Sequence, residues 1–271
     1  MYFCLHKGTA GGKLPHDEFV RLAAKAGFAG ADPDFTFADT HSLAGMRDLY
    51  AANGLRMGGW GIPFDFRAGA GLDPEGVARL IRFAAFAAEL GVDSCANHIM
   101  PGGERPFMEQ WKFLADRLKP LAAILGEHGL RLGLEPVAPH HLRRKFPHAF
   151  IFTPWQMLEL ADDIGPNTGL LVDSIHFYTA GEPMANLKLI PKERIVNAHV
   201  NDAPAGPVEL VEDRGRVLPG EGVMDVAGYL AALAATGYAG PVSVEVFSAA
   251  LDALPPEEAA RRARASVARW M

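Results

Sequence analysis

Four residues of types that commonly bind metals each follow a short apolar run in the second half of the chain. They are Glu135, Asp173, His199 and Glu245. Three carboxylates and one imidazole form a hard, oxygen-rich ligand set, which suits Mn²⁺ best, with Mg²⁺, Co²⁺ or Zn²⁺ as alternatives. Three carboxylates held close together would repel one another strongly without a cation. The residue types therefore predict one divalent metal site.

The elements that must position these residues alternate along the chain between short apolar runs and longer stretches of helical period. The strand-like runs cover residues 2–5, 30–32, 56–60, 94–97, 131–135, 169–173, 196–199 and 242–246. The helical stretches cover residues 16–26, 40–53, 74–90, 106–128, 154–164, 181–189, 225–236 and 256–269. Strict alternation implies a parallel sheet, and eight units favour an α/β fold of the (β/α)8 TIM-barrel type. With no linker in sight, we predict a single domain over residues 1–271.

The barrel geometry gives the strand ends a meaning, because barrel enzymes build their sites at the C-terminal ends of the strands. The four candidate ligands end the last four runs, which are neighbours in a closed barrel, so their side chains can converge near the rim. His6, Trp60 and His98 end or follow the first, third and fourth runs. We expect these three residues to contact a substrate at the same rim.

Composition narrows the class of protein. The formal net charge of the 271 residues is −6, which argues against nucleic acid as a partner. No window approaches the ~18 uninterrupted apolar residues of a membrane span, and the first residues show no signal-like stretch. Cys4 and Cys95 lie inside strand-like runs and are expected to be buried free thiols, as in a reducing compartment. We therefore expect a cytoplasmic enzyme, for which a dimer or a tetramer is compatible with the sequence.

Around the candidate ligands the sequence resembles the xylose isomerase-like TIM barrel superfamily, in particular its sugar phosphate isomerase/epimerase branch. The likeness is carried by Leu134-Glu-Pro136, Leu171-Val-Asp-Ser-Ile-His176, His199-Val-Asn-Asp202, Leu218-Pro-Gly-Glu-Gly-Val223 and Val244-Glu245. The resemblance implies that Glu135, Asp173, His199 and Glu245 are the metal ligands. It also implies that His176 and Arg216 contact the substrate, and that Asp202 supports His199 or contributes to the site.

The predicted site suits a proton shift next to a carbonyl. A metal-bound carbonyl acidifies the neighbouring C–H bond, and the cation stabilises the resulting enediolate. Glu135 and Glu245 are the candidates for base and acid. Return of the proton to the same carbon gives epimerisation, and return to the other carbon gives isomerisation. We therefore expect an isomerase or epimerase of a small polyhydroxylated compound, either a keto-sugar or a cyclitol.

The segment from residue 136 to residue 152 is the longest distinctive loop. Its basic residues include Arg143 and Arg144, and we interpret it as a lid that brings a cation to the substrate. Ketose 3-epimerases of the family carry a second glutamate six residues after the one that corresponds to Glu135. Here His141 stands at that position and is a candidate substrate contact, so free-ketohexose epimerase activity is not implied.

Three alternatives stay open at this point. Loss of a β-hydroxyl from the same intermediate would make the protein a dehydratase of the inosose or dehydroshikimate type. An enzyme that resembles endonuclease IV would need further metal ligands from earlier strands, of which His98 is the one candidate. A catalytically inert barrel would serve as a binding protein and would gain no stability from Mn²⁺.

Overall fold

A computed structural model describes residues 1–10 and 12–270, and its dominant feature is a closed parallel barrel. Eight strands form one sheet, and we call them the first to the eighth barrel strand in chain order. They are Tyr2–Leu5, Gly30–Ala31, Arg56–Met57, Ser94–Ile99, Arg131–Pro136, Thr168–Asp173, Ile195–Val200 and Pro241–Val244. The predicted (β/α)8 TIM barrel is confirmed.

The sheet closes between the third and fourth barrel strands. Hydrogen bonds connect the strands in the order 3-2-1-8-7-6-5-4. Beyond the short third strand, Trp60 forms a parallel bridge with Cys95. The Trp60 amide donates to the Ser94 carbonyl at 3.2 Å, and its carbonyl accepts from the Ala96 amide at 2.8 Å. Trp60 therefore joins the two edges of the sheet at the rim.

Helices surround the barrel in the places that the helical period predicts, with few exceptions. The α-helices are His16–Ala26, Thr36–Ala52, Pro74–Leu90, Phe107–Glu127, His140–Arg143, Pro154–Ile164, Ser174–Thr179, Val226–Ala235, Ala249–Asp252 and Pro256–Ser266. The 3-10 helices are Met184–Leu189, Lys192–Arg194, Val208–Leu210 and Ala268–Trp270. The Asp73 carboxylate accepts from the Gly76 amide at 2.9 Å and so caps the third helix.

The sixth predicted helical stretch, residues 181–189, is where the prediction was wrong. Residues 184–189 form a 3-10 helix, and the α-helix of this unit is Ser174–Thr179, directly after the sixth barrel strand. The Asp173 carboxylate accepts from the Ile175 amide at 2.8 Å and thereby starts that helix. His176 therefore lies in this helix. The second helix also begins four residues earlier than predicted, at Thr36.

The segment 136–152 has more structure than a plain loop. It contains the helix His140–Arg143 and a short strand, His148–Ala149, which pairs antiparallel with Gly102–Gly103. The Arg143 guanidinium donates to the Ala138 carbonyl at 2.6 Å and to the Thr179 carbonyl. These bonds hold the segment against the barrel, and Arg143 does not line the cavity described below.

Apolar side chains of the strands and helices form one continuous core. Cys4 and Cys95 are buried free thiols within it, as predicted. Across residues 1–10 and 12–270, no helix is long and apolar enough to cross a membrane. The polar residues discussed next lie at the C-terminal ends of the barrel strands.

Candidate metal centre

The four residues that end the last four barrel strands come together at the rim. Glu135, Asp173, His199 and Glu245 are buried, and each offers one ligand atom such that these atoms lie within 4.8 Å of one another. The strand register produces this arrangement, because Asp173 pairs with His199, and His199 pairs with Ser243, two residues before Glu245. The structure thus brings the predicted ligands into one cluster.

The His199 imidazole lies among the three carboxylates. Its Nδ1 atom is 3.3 Å from Oε2 of Glu245, 3.7 Å from Oδ2 of Asp173 and 3.8 Å from Oε1 of Glu135. Among the described residues, Nδ1 of His199 and Oε1 of Glu135 have no hydrogen-bond partner although both are buried. Unpaired buried polar atoms are rare in proteins and call for a partner such as an ion.

The charges of the cluster also fit a divalent cation. Arg216 is buried beside the carboxylates, and its Nη1 donates to Oε2 of Glu245 at 2.7 Å and to Oδ2 of Asp173 at 3.1 Å. One guanidinium and one divalent cation together balance three carboxylates when the imidazole is neutral. The residues present therefore fit the predicted ion in number, type and charge.

The pKa values in the cluster show the same excess of negative charge. Burial alone would lower the pKa of His199, but the carboxylates of Glu245, Glu135 and Asp173 raise it to about 10. Burial raises the pKa of Glu135 well above its ordinary value, and repulsion from Glu245 adds to this effect. Burial also opposes ionisation of Glu245, yet His199, His6 and Arg216 hold its pKa well below the ordinary value. A cation and protons therefore compete for this cluster.

Two residues that sequence reasoning missed form hydrogen bonds with the ligand residues or with the backbone beside them. The Asn201 amide donates to Oδ1 of Asp173 at 3.0 Å and to the Glu245 carbonyl at 3.1 Å. The Tyr229 hydroxyl shares its one proton between the Val172 carbonyl at 3.0 Å and the His199 carbonyl at 3.1 Å. Asn201 lies inside the His199–Asp202 motif, so its position was a signal. Tyr229 lies in the helix Val226–Ala235, outside every motif, so no sequence pattern indicated its role.

A cavity of about 410 Å³ lies over one side of the cluster. Its polar lining residues are His6, Lys7, Asp32, Asp34, Trp60, Asn97, His98, Glu135, Asn197, His199 and Glu245. Asp173 is not part of the lining, and its side chain is fully buried. Two of the three carboxylates of the cluster, Glu135 and Glu245, therefore face the space that a substrate would occupy.

The three rim residues expected from the strand ends all line this cavity. Nε2 of His6 lies 3.3 Å from Oε1 of Glu245. His98 stands opposite Glu135 in the sheet register, and burial together with the nearby Arg67 lowers its pKa. Trp60 is buried and presents part of its ring to the cavity.

The other candidate substrate residues lie elsewhere. His176 is buried behind Glu135, with Nε2 3.8 Å from Oε1 of that residue, and does not line the cavity. Arg216 is also outside the lining and contacts the ligand carboxylates. His141 is exposed on the 136–152 segment.

Asp202 anchors a loop instead of supporting His199. Its buried carboxylate accepts from the backbone amides of Ala203, Gly220, Gly222 and Met224 at 2.8 to 3.0 Å. These amides use both carboxylate oxygens. The Pro-Gly-Glu-Gly segment that carried part of the resemblance is therefore held by Asp202.

Comparison with known proteins identifies the family. Residues 20–270 match the sequence model of the xylose isomerase-like TIM barrel family. This chain belongs to that family. A solved xylose isomerase domain protein from Alicyclobacillus acidocaldarius superposes with a TM-score of 0.90 at 29% identity, over 99% of this chain and 97% of that one.

Curated relatives of this xylose isomerase-like barrel carry two kinds of name. The 3-dehydroshikimate dehydratase of Pseudomonas putida is 34% identical over 150 residues, which are 54% of this chain and 22% of that protein. The inosose isomerase of Bacillus subtilis is 31% identical over 154 residues, 56% of this chain and 53% of that protein. The matched part is thus about half or less of each relative's length.

The cavity of this family member contains three further polar residues that sequence reasoning missed. Asp32 directly follows the second barrel strand, Asn97 lies in the fourth and Asn197 in the seventh. Burial raises the pKa of Asp32, and the nearby His6 and His199 partly offset this rise. Asp32 ends its predicted strand as Glu135 does, so the strand-end pattern was a signal for it.

Proposed function

We propose that this protein is a divalent-metal-dependent isomerase or epimerase of a small polyhydroxylated keto compound, either a keto-sugar or a cyclitol. One observation carries the proposal: of the three carboxylates in the cluster, the glutamates Glu135 and Glu245 face the cavity, whereas Asp173 does not. An ion-binding site alone would not need two glutamates that reach the substrate space. A proton transfer at carbon needs a base and an acid there.

Glu135 and Glu245 are placed to exchange protons with one bound molecule. When bound, a divalent cation supplies Lewis acidity, which polarises a substrate carbonyl and acidifies the neighbouring C–H bond. One glutamate then removes the proton from carbon, and either glutamate returns it. Return to the opposite face of the same carbon gives an epimer. Return to the former carbonyl carbon, with a proton moving from the neighbouring hydroxyl to the former carbonyl oxygen, gives an aldose–ketose pair.

The neighbours of the two glutamates differ, which suits different roles. Arg216 and His6 hold Glu245 from two sides, at 2.7 and 3.3 Å. Oε1 of Glu135 has no hydrogen-bond partner among the described residues and lies 3.8 Å from His176. Glu135 is thus the freer of the two to take a proton.

A dehydratase is the second candidate, and the relatives named 3-dehydroshikimate dehydratase favour it. The same proton abstraction would then be followed by departure of a β-hydroxyl group, which accepts a proton and leaves as water. Glu135 and Glu245 would serve as base and acid in this reaction as well. The two candidates therefore differ in their products and not in the residues that start the reaction.

Product analysis separates these candidates. Metal-loaded protein is incubated in D2O with a panel of ketoses, inososes and 3-dehydroshikimate. We expect deuterium at the carbon next to the carbonyl, with no loss of water, for at least one uncharged member. A new ultraviolet-absorbing product that has lost water, either a conjugated enone from an inosose or an aromatic diol from 3-dehydroshikimate, would establish the dehydratase. Absence of both products, together with absence of a bound divalent metal, would favour the inert barrel.

The ion and the compartment are parts of the same proposal. The oxygen-rich ligand set favours Mn²⁺, and elemental analysis of protein purified without chelator tests this. An ion that binds the folded state alone stabilises it by about 2.7 kcal/mol at a hundred times its Kd, so Mn²⁺ should raise the melting temperature. The buried free thiols Cys4 and Cys95 support a cytoplasmic location.

A further inference from the structure

Asp32 lies in the cavity, on a different strand end from the metal cluster. It follows the second barrel strand, on the opposite side of the first strand from Glu245 in the sheet order. Its Oδ1 accepts a hydrogen bond from the Ser243 hydroxyl at 2.8 Å. No described residue donates to Oδ2 within hydrogen-bond distance, so that oxygen is available to a molecule in the cavity.

The backbone leaves room for Asp32 and for a second polar side chain beside it. A Cβ at Gly58 would overlap with Oδ1 of Asp32, and a Cβ at Gly59 would overlap with the side-chain amide of Asn197. Two successive glycines after the third strand therefore allow a carboxylate and an amide to approach the barrel wall. A side chain at either glycine would displace Asp32 or Asn197 from its present position.

Two other lining residues besides Asp32 and Asn197 carry uncharged or acidic hydrogen-bonding side chains. Oδ1 of Asn97 accepts from the Ile62 amide at 3.0 Å, which leaves its NH2 group for other partners. Asp34 also lines the cavity. Carboxylates and amides bind vicinal hydroxyl groups well, because each hydroxyl can donate to one oxygen and accept from one N–H.

Positive charge is scarce in the same space. Among the lining residues that the structure describes, Lys7 is the sole lysine or arginine, and its Nζ lies 3.9 Å from Oδ2 of Asp34. Arg216 lies outside the lining and already serves Glu245, Asp173 and Asp213. An anionic substituent on a part of the substrate away from the metal cluster would therefore meet Asp32 and Asp34, and the one lysine there already lies beside Asp34.

We propose that Asp32 binds a substrate hydroxyl group and makes the cavity selective for uncharged polyhydroxylated compounds over carboxylated or phosphorylated ones. This inference rests on the proposed function and names the substrate class of the same cavity. It assigns Asp32 as a specificity residue. It also separates the two kinds of relative, because a dehydroshikimate carries a carboxylate and an inosose does not.

Binding of unreactive probes tests the selectivity without turnover. Isothermal titration of the Mn²⁺-loaded protein compares myo-inositol with quinate, which is a polyhydroxylated cyclohexane that bears a carboxylate. A second matched pair is D-sorbitol and D-sorbitol 6-phosphate, which lack the carbonyl group that the reaction needs. We expect the uncharged member of at least one pair to bind at least about tenfold more tightly than its charged counterpart. Equal or weaker binding of the uncharged members, or binding of neither, would overturn the proposal.

Two substitutions test whether Asp32 causes the preference. Asp32→Ala removes the acceptor and should weaken binding of the preferred uncharged probe about 10- to 100-fold, as for hydrogen bonds to charged groups. Asp32→Asn keeps the shape and removes the charge, so it should reduce the preference over the anionic probe about tenfold. Asp39→Asn, outside the cavity, is the control and should change neither value. Unchanged affinity and preference in both Asp32 variants would refute the assignment.

The binding test of Asp32 and the deuterium-exchange test of the proposed function can fail independently. If the protein prefers the uncharged probe through Asp32 but incorporates no deuterium into any keto compound, the specificity assignment stands and the isomerase does not. If deuterium exchange occurs with equal efficiency in the wild type and in Asp32→Ala, the isomerase stands and the specificity assignment fails. Melting temperature and metal content confirm that the variants are folded and loaded.

Discussion

Glu135 is the residue at which metal binding and proton transfer can be separated. In Glu135→Gln one side-chain oxygen remains to bind a cation, but the amide cannot take a proton from carbon. Loss of a positioned general base typically costs 10²- to 10⁴-fold in rate. We therefore expect kcat for deuterium exchange to fall by about that factor while metal content stays near that of the wild type.

A matched substitution controls for the loss of one carboxylate. Glu127 is exposed at the end of the helix Phe107–Glu127 and belongs neither to the cluster nor to the cavity lining. Glu127→Gln should leave both kcat and metal content unchanged. Retention of more than about a tenth of the wild-type kcat by Glu135→Gln would contradict the role as base.

Arg216 is expected to matter for the integrity of the cluster. Removing one partner of a buried ion pair leaves the other uncompensated and typically costs about 3–5 kcal/mol. Arg216→Met should lower the free energy of unfolding of the chelator-treated protein by about that amount, as measured by urea denaturation. Mn²⁺ should restore part of the loss, because it supplies positive charge to Asp173 and Glu245.

The conservative variant distinguishes charge from packing. Arg216→Lys keeps one positive charge but cannot serve Asp173, Glu245 and Asp213 together, so its loss should be smaller than that of Arg216→Met. Equal losses in the two variants would show that the charge of Arg216 does not stabilise the cluster.

The residues that sequence reasoning found and missed differ in a physical way. Glu135 and Asp173 end long apolar strands, so their placement at the rim follows from the period of the strand alone. Asp32 follows a strand of only two residues, so its strand-end position was a weaker signal than those of Glu135 and Asp173. Arg216 lies on a loop, and its burial between carboxylates depends on loop conformation, which no local pattern encodes.

At the scale of elements, the loop after the seventh strand determines where Arg216 lies. The Asp202 carboxylate accepts hydrogen bonds from four backbone amides of this loop, two on each oxygen. Asp202→Asn keeps one acceptor oxygen and loses the charge, so some of these buried amides lose their partner. Each buried hydrogen bond to a charged group contributes ~1.5–3 kcal/mol, and we expect a loss of ~2–4 kcal/mol in urea denaturation.

The same substitution should also affect the site through Arg216. Weaker metal binding in Asp202→Asn than in the wild type would follow from displacement of the loop. Glu209→Gln, an exposed change on this loop, is the control and should alter neither stability nor metal affinity. Wild-type stability of Asp202→Asn would contradict the anchoring role.

Helix boundaries show which elements the sequence could specify. The helices Pro74–Leu90 and Pro154–Ile164 match their predicted bounds, because each begins with a capping residue followed by proline. The helix Ser174–Thr179 was missed, since its six residues are too few for a helical period and its cap, Asp173, was interpreted as a ligand alone. Gly165, directly after the helix Pro154–Ile164, has a φ of 166°, which is extended backbone.

At the scale of the whole molecule, the barrel brings polar groups from the strand ends together at one rim. A few other polar residues are buried among apolar side chains away from that rim. His16 is such a buried polar residue, at the start of the first helix and away from the metal cluster. Its ring packs against Phe37 and Tyr50, and its Nδ1 has no partner among the described residues. Burial lowers the pKa of His16 from 6.5 to about 4.

This depressed pKa makes folding depend on pH with a defined sign. Below pH 6.5 the unfolded chain binds a proton at His16, while the folded protein does so only near pH 4. The unfolded state therefore gains stability as the pH falls through this window, and His16 destabilises the fold progressively. Between about pH 7.5 and about pH 5 its contribution should be roughly 2 kcal/mol.

A titration-silent variant isolates this contribution from that of other buried histidines. In His16→Gln the free energy of unfolding should fall by roughly 2 kcal/mol less between about pH 7.5 and about pH 5 than in the wild type, as measured by urea denaturation. His148→Gln, an exposed change, should keep the wild-type dependence. The comparison uses chelator-treated protein, because the metal cluster also titrates. Parallel pH profiles of His16→Gln and the wild type would show that His16 is not held neutral by the fold.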